Sequence, residues 1–259
     1  MKNWIPVSLD NQSLQDIDPA IVVLDVVEND PAFTVASNVN AKYNGSMFFE
    51  SYRTELSVTI TVYIHERRML RKSLIVQKIQ QWAQNGGKLR VGHRQGQFLD
   101  CKLSRPVGAG SAWQWSEAVQ IVFTAYAVPY WQDEQVTTAA STASAQTHSF
   151  SITPPGTADH CRMSFQATAV EAITQLEVKN TLNGTKIAFT GLSVPAGGII
   201  KAEYKDGFLG LFLGNVSIMG KRTADSTDDI ILQQRKSNTI EATANGAFTI
   251  ICTAKGLYL

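Results

Sequence analysis

Charge is the first thing this sequence has little of. Asp, Glu, Lys and Arg make up 17% of its 259 residues, and the formal net charge is +1. No global field draws in nucleic acid or an anionic membrane surface. Cysteine is scarce as well. Cys101, Cys161 and Cys252 are odd in number and far apart, with no CxxC and no histidine at ligand spacing. That excludes a complete disulfide framework and a paired zinc site. The three read as small buried hydrophobes in a chain made in a reducing compartment. No apolar run approaches the roughly 20 residues of a membrane helix. The opening "MKNWIPVSLDNQ" lacks the apolar core of a secretory signal, so synthesis and folding are expected in a cytoplasm.

Catalytic signatures are also missing. There is no GxGxxG, P-loop, HExxH, GxSxG or EF-hand loop. "GAGSAW" (Gly108 to Trp113) has a phosphate-loop look, but a strand follows it rather than the helix such a loop needs. His65, His93, His148 and His160 have no companion ligands at metal spacing. "DSTDD" (Asp225 to Asp229) carries calcium-type oxygens and reads as a solvated acidic loop. "ERRMLRK" (Glu66 to Lys72) holds four basic residues without the interleaved aromatics of a nucleic-acid surface, so it reads as a solvated helix face. The expectation is a non-enzyme with no catalytic residue, cofactor or metal, and with neither nucleic acid nor membrane as partner.

What is present is patterned for sheets. In "ELSVTITVYIH", Leu56, Val58, Ile60, Val62 and Ile64 alternate with Ser57, Thr59, Thr61 and Tyr63. Period two with β-branched residues predicts a strand with one buried face. The period then lengthens. Leu70, Leu74, Ile75, Ile79 and Trp82 recur at helical spacing, which predicts one amphipathic helix over 66–85, closed by Asn85-Gly86-Gly87. A hairpin over 88–103 follows, with Leu89 and Val91 before a Gln95-Gly96 turn and Phe98 after it. Val119, Ile121, Phe123, Ala125 and Ala127 share the face of a further strand, which stops at Pro129. From Phe150 onward the pattern is β throughout. Asn183-Gly184, Asp206-Gly207 and Asn245-Gly246 supply hairpin turns. The predicted class is mainly β, with two sandwich-like domains at 1–131 and 150–259. Residues 132–149 form a linker or a weakly specified strand between them.

The order of these features resembles the siphovirus-type distal tail (Dit) proteins of phages and prophages. The run from "RRMLRKSLIVQKIQQWAQNGG" through "KLRVGHRQGQFLDCKL" to "WSEAVQIVFTAYAVPYW" carries the resemblance in the first half. There Pro129, Tyr130 and Trp131 match the domain-closing motif. In the second half it rests on "ITQLEVKNTLNGTKIAFTGLSVPAGGIIKAEYKDG", with Ala196, Gly197 and Gly198 in the family's glycine-containing segment. Lys236 and Ser237 stand where the family has Pro-Gly.

The resemblance implies a hexameric ring at the virion tail tip and a C-terminal galectin-like or carbohydrate-binding-module-like domain. The implied partners are the tail tube protein, the tail-associated protein, and a baseplate, fibre or receptor-binding protein. The helix and hairpin then supply the subunit-interface candidates: Leu70, Leu74, Ile75, Ile79, Trp82, Leu89, Val91 and Phe98. A competing expectation is a carbohydrate-binding module for cell-wall glycans. Residues 150–259 contain Phe and Tyr but no Trp, the residue sugar platforms favour. A tail glycosidase or peptidase would need a paired-carboxylate or nucleophile–base signature, and no such pair stands out.

Overall fold

The computed structural model describes residues 5–29, 33–40, 45–105, 107, 118–205 and 207–259; for 33–52 and 205 only backbone is described. "GAGSAW" and the tryptophans at 113 and 115 lie outside the described residues. The protein is mainly β, with one α-helix among the described residues. It divides into two compact units, Met1–Trp131 and Gln132–Leu259.

The first unit contains β1 (Val7–Leu9), β2 (Gln12–Ser13), β3 (Ile21–Asn29), β4 (Phe33–Asn40), β5 (Gly45–Arg53) and β6 (Leu56–Ile64). Helix α1 (Met69–Ala83), β7 (Gly87–Val91), β8 (Gln97–Arg105) and β9 (Ala118–Ala125) complete it. All pairings are antiparallel. They run β3–β6–β9–β8–β7–β1–β2, while among the described residues β4 and β5 pair only with each other. The alternation in β6 is realised without a break: Leu56, Val58, Ile60, Val62 and Ile64 are all buried. β8 serves two partners. Its first residues pair with β7 and its last with β9.

Helix α1 starts later than its pattern predicts. The Glu66 carboxylate accepts the Arg68 N–H at 2.8 Å and pairs with Arg71 at 3.1 Å, which holds residues 66–68 outside the first turn. Ile75, Val76, Ile79, Trp82 and Ala83 form its buried face. Trp82 packs edge-on against Phe123 of β9, 5.9 Å between ring centres, and its indole N–H reaches the Gln12 carbonyl at 3.1 Å. Each large side chain so buried contributes roughly 1.5–3 kcal/mol. Gly86, at φ 65°, ends the helix; a Cβ there would lie 2.2 Å from the Cys101 carbonyl oxygen.

The second unit is built on β10 (Trp131–Ile152), β11 (His160–Ala169), β12 (Leu176–Asn180), β13 (Lys186–Phe189) and β14 (Ile199–Lys205). β15 (Phe208–Leu213), β16 (Val216–Ser217), β17 (Ile231–Gln233) and β18 (Asn238–Tyr258) follow. Residues 132–149, the candidate linker, lie within β10. Ser141 and His148 would stand about 23 Å apart on a straight strand. Their side chains meet at 2.8 Å. β10 therefore reverses direction through the largely exposed residues between them. Small Ala, Ser and Thr side chains permit this reversal without burying much surface.

Two of the three expected hairpins are present. β12 pairs with β13 around Gly184, φ 75°, and β14 with β15 around Gly207, φ 82°. The third expectation is corrected. Asn245-Gly246 is no turn: β18 runs through it, and neither residue has a positive φ. Before this point β18 pairs with β12, and after it with β11. The Asn245 side-chain oxygen accepts the Thr174 and Gln175 N–H groups at 2.9 and 3.0 Å. A Cβ on Gly246 would sit 2.5 Å from the Ala172 carbonyl oxygen. The dipeptide thus marks a strand changing partners where another backbone passes close.

A single apolar core draws on both parts of β18, with Phe248, Ile250 and Cys252 on one and Ile240 and Ala242 on the other. Asn180 and Asn238 are fully buried inside the unit and bonded to each other at 3.1 Å. The Asn238 amide also donates to the Gln233 and Lys236 carbonyls, both at 2.8 Å. Gly246→Ala is expected to destabilise this unit by about 1–3 kcal/mol through forced backbone displacement. Urea unfolding followed by tryptophan-independent far-UV dichroism checks this.

Candidate functional site

The strongest polar cluster of the first unit centres on Glu28 of β3. Its placement follows from a bulge. Ile21 and Val23 point inward opposite Ile64 and Val62. The register then shifts between Val23 and Asp25, so that Val26 and Glu28 face inward opposite Ile60 and Val58. One extra residue moves the inward set from odd to even positions. A carboxylate consequently stands where the sheet faces its core.

Three side chains satisfy it. Arg94 donates from Nε to Oε1 at 3.1 Å and from Nη2 to Oε2 at 2.6 Å. His93 Nε2 donates to Oε1 at 2.6 Å, because a carboxylate only accepts. Trp131 Nε1 donates to Oε2 at 3.0 Å. The Arg94 guanidinium also lies over the fully buried Trp131 ring, 5.6 Å from its centre. Burial raises the Glu28 pKa, but the hydrogen bonds from Arg94, His93 and Trp131 and the Arg94 charge outweigh it. The carboxyl is held below its ordinary 4.5. His93 and Arg94 come from the turn between β7 and β8, closed by Arg94 N–H to the Val91 carbonyl at 3.0 Å. The cluster therefore ties β3, this turn and Trp131 together. The neighbouring Tyr130 ring carries the Arg53 guanidinium at 5.4 Å, and Pro129 is partly buried beside it.

The structure divides the eight interface candidates. Ile75, Ile79, Trp82, Leu89, Val91 and Phe98 are buried inside their own unit. Leu70 and Leu74 are 86% and 57% exposed, with Met69 beside them. The reason is angular. Residues five apart on a helix point about 140° away from each other. Leu70 and Ile75 therefore never shared a face, and the two leucines form a separate outward stripe. The Lys78 ammonium, also on the helix, reaches the Asp18 carboxylate at 3.4 Å. A concavity of about 440 Å³ lies along this side, with Arg71, Leu74 and Lys78 on its wall.

The other candidate groups are engaged structurally. Asp225, Asp228 and Asp229 are ion-paired with Lys186, Arg222 and Arg162 at 2.6, 2.9 and 2.9 Å. The Lys186 and Thr223 hydrogen bonds hold the Asp225 carboxyl at about 2. Cys101, Cys161 and Cys252 are buried free thiols, and burial pushes the first two up to about 12. Among the described residues no cluster of His, Cys, Asp and Glu could hold a metal ion. Among the described residues no helix is long and apolar enough to cross a membrane. Sequence inspection missed one nucleophile–base contact, Ser141 Oγ to His148 Nδ1 at 2.8 Å. The Phe248 carbonyl, 2.9 Å from Nε2, requires the proton there, so Nδ1 accepts the Ser141 hydroxyl. His148 is buried with its ring edge-to-face on Phe248 at 4.4 Å. Nε2 fastens β10 to β18, and Nδ1 is used within β10 itself.

No protein-family model matches the chain, and no curated protein matches it. Solved structures do. The structure of the SPP1 Dit protein, a paradigm of the hub adsorption apparatus of phages infecting Gram-positive bacteria, is similar with a TM-score of 0.71. Identity is 12%, over 97% of this chain and 98% of that one. The fold is that of a phage distal tail protein. The phage P2 baseplate in its activated conformation with Ca is similar with a TM-score of 0.48 and 9% identity, over 97% of both chains.

Glu28→Gln keeps the size of the side chain and removes its charge. The first unit is expected to lose about 2 kcal/mol at neutral pH. Because folding depresses the Glu28 pKa, its contribution is present in full above pH 4.5 and is lost as pH falls through the lower folded value. Thermal unfolding measured from pH 7 to pH 3 should show the gap between wild type and variant closing on the acid side.

Proposed function

We propose that this protein is the structural hub of a bacteriophage tail tip. It forms a hexameric ring that joins the tail tube to the tail-associated protein and to a baseplate, fibre or receptor-binding protein. The observation that carries this reading is the full-length similarity to the SPP1 Dit hub, spanning both units rather than one. An isolated sandwich domain would have matched over half the chain. The place of action is the virion tail, after synthesis in the bacterial cytoplasm.

The chemistry of the surface supports a joining role. The acidic groups of 225–229 are neutralised by neighbouring cations, the thiols are buried, and the single buried histidine base is fully bonded. In a ring, a patch on each copy meets a different patch on the next, and the rotation closes. Met69, Leu70 and Leu74 are apolar, exposed and held on a rigid helix. They are the part of the helix left free for such a contact, whereas the six buried candidates support it from beneath. On this reading the second unit carries the adsorption partner.

The test is mass in solution, by light scattering after size exclusion, with negative-stain microscopy. Six subunits in a ring are expected. Leu70→Glu combined with Leu74→Glu should convert that species to monomer with the thermal unfolding of each unit unchanged. Ile79→Glu, by contrast, should unfold the first unit. A wild-type monomer at every concentration, even when mixed with tail tube protein, would overturn the hub reading.

A further inference from the structure

A closed ring needs two different surfaces on each copy, one to meet the next copy and one to receive the last. The outward stripe of α1 is the first. The first unit carries a second surface of matching chemistry on β3. The bulge that turns Glu28 inward turns other residues outward. Asp25 stands opposite Thr61 and Val27 opposite Thr59, on the side away from Ile60 and Val62. Leu24, at the bulge itself, is 53% exposed, and Val27 is 43% exposed. Asp25 between them is exposed too. Two large apolar side chains and a carboxylate thus share one open sheet face.

The charges of the two surfaces are opposite and unmixed. Helix α1 contains no Asp or Glu, and Arg67 and Arg68 precede it on the exposed side. Neither β3 nor its partner β6 contains a Lys or Arg. Asp25 uses one oxygen to accept the Val26 N–H at 2.9 Å and makes no ion pair among the described residues. Arg67 and Arg68 make no side-chain ion pair among them either, whereas Arg71 is taken by Glu66 and Lys78 by Asp18. The helix N-terminus adds to the attraction. Its first turn has no acidic residue, and its N-cap, Arg68, offers no side-chain cap. The partial positive charge there favours an incoming carboxylate.

The two surfaces also lie on opposite sides of the same layer. Trp82 packs on Phe123, whose side chain is on the inner face of the β3–β6–β9 sheet. Helix α1 therefore covers the inner face, and Leu70 and Leu74 point away from it. Leu24, Asp25 and Val27 are on the outer face. A copy cannot bring its own two surfaces together, but a neighbour can supply the missing one.

We infer that the stripe of α1 docks on the outer face of β3 in a second copy of this chain. Arg67 and Arg68 meet Asp25 there, and Leu70 and Leu74 meet Leu24 and Val27. The inference rests on the ring reading and names the surface that receives the helix. Opposite charges fix the register of the contact, and the apolar side chains supply the area it buries.

The test uses the full chain under the condition in which the wild-type ring forms, with mass read by light scattering. Asp25→Arg is expected to raise the concentration needed for assembly about tenfold or more, and so is Arg67→Asp combined with Arg68→Asp. The variant carrying all three changes should recover most of that loss. Recovery separates a contact from a folding defect, because two damaged folds do not repair each other. A second measurement joins the surfaces directly. With Val27→Cys and Leu70→Cys in one chain, a mild oxidant should give a ladder of linked copies on a non-reducing gel. The native thiols are buried and should give none. A wild-type ring without recovery on charge exchange, or without linked copies, would overturn this pairing and leave the hub reading standing. So would an Asp25→Arg ring that assembles normally but no longer captures tail tube protein, since that face would then belong to the tube. Absence of any wild-type ring, even with tail tube protein present, would remove the hub reading and this contact together.

Discussion

A carboxylate facing the inside of a sheet is the constraint around which the first unit is arranged. Glu28 reaches that face only because β3 carries a bulge, and it stays there only because three donors converge on it. Removing a charge from water costs several kcal/mol unless it is paired and hydrogen-bonded. The partners come from places distant in sequence, the turn at His93-Arg94 and the end of the unit at Trp131. The energetic need of one group thus fixes where the β7–β8 turn lies and where the chain leaves β9. Arg94 does two jobs at once, since it bonds the carboxylate and covers the indole face. A lysine would supply the charge but neither the fork nor the plane.

The second unit meets a different constraint, how to share one core between groups of strands without cutting the chain. β18 solves it by changing partner at Asn245-Gly246. The asparagine satisfies two N–H groups of the passing segment, and the glycine leaves space for its carbonyl. β8 does the same in the first unit, dividing its length between β7 and β9. Each such strand carries hydrogen bonds from one sheet into the next, so neither sheet ends in a long unpaired edge at that side.

Much of this was legible in the sequence. The strand at Leu56–Ile64, the helix and its glycine stop, and the hairpins at Gly184 and Gly207 follow from period and turn chemistry alone. What escaped reading has a physical pattern. Alternation cannot reveal a bulge, because one added residue turns "VVLDVVEN" from one face to the other, and Glu28 then looks like a surface group. The Asn245-Gly246 pair carries the composition of a tight turn, yet its glycine answers a steric demand set by a segment some seventy residues earlier. Helical spacing groups Leu70 and Leu74 with Ile75 in the sequence. Spacing of four keeps a face, and spacing of five leaves it. The Ser141–His148 contact depends on a reversal inside β10 that small residues allow but do not announce.

The division of α1 into two apolar stripes bears on how the hub we propose would be built. If the residues that hold a helix to its own domain were also those that contact a neighbour, assembly would compete with folding. Here Ile75, Ile79 and Trp82 are consumed by the unit itself, and Trp82 is held by both Phe123 and the Gln12 carbonyl. The helix is therefore rigid before any partner arrives, and little ordering entropy remains to be lost on binding. Leu70 and Leu74, on the other side, contribute nothing to the fold that their exposure would not forfeit. Two exposed leucines next to Arg67, Arg68 and Arg71 keep a single copy soluble, since the patch is small and bordered by charge. A contact of that size is weak alone. In the closed ring we propose, where no copy could leave without breaking two such contacts, the same stripe would be adequate. A rigid, modest and repeated contact is the arrangement a symmetric joining piece requires.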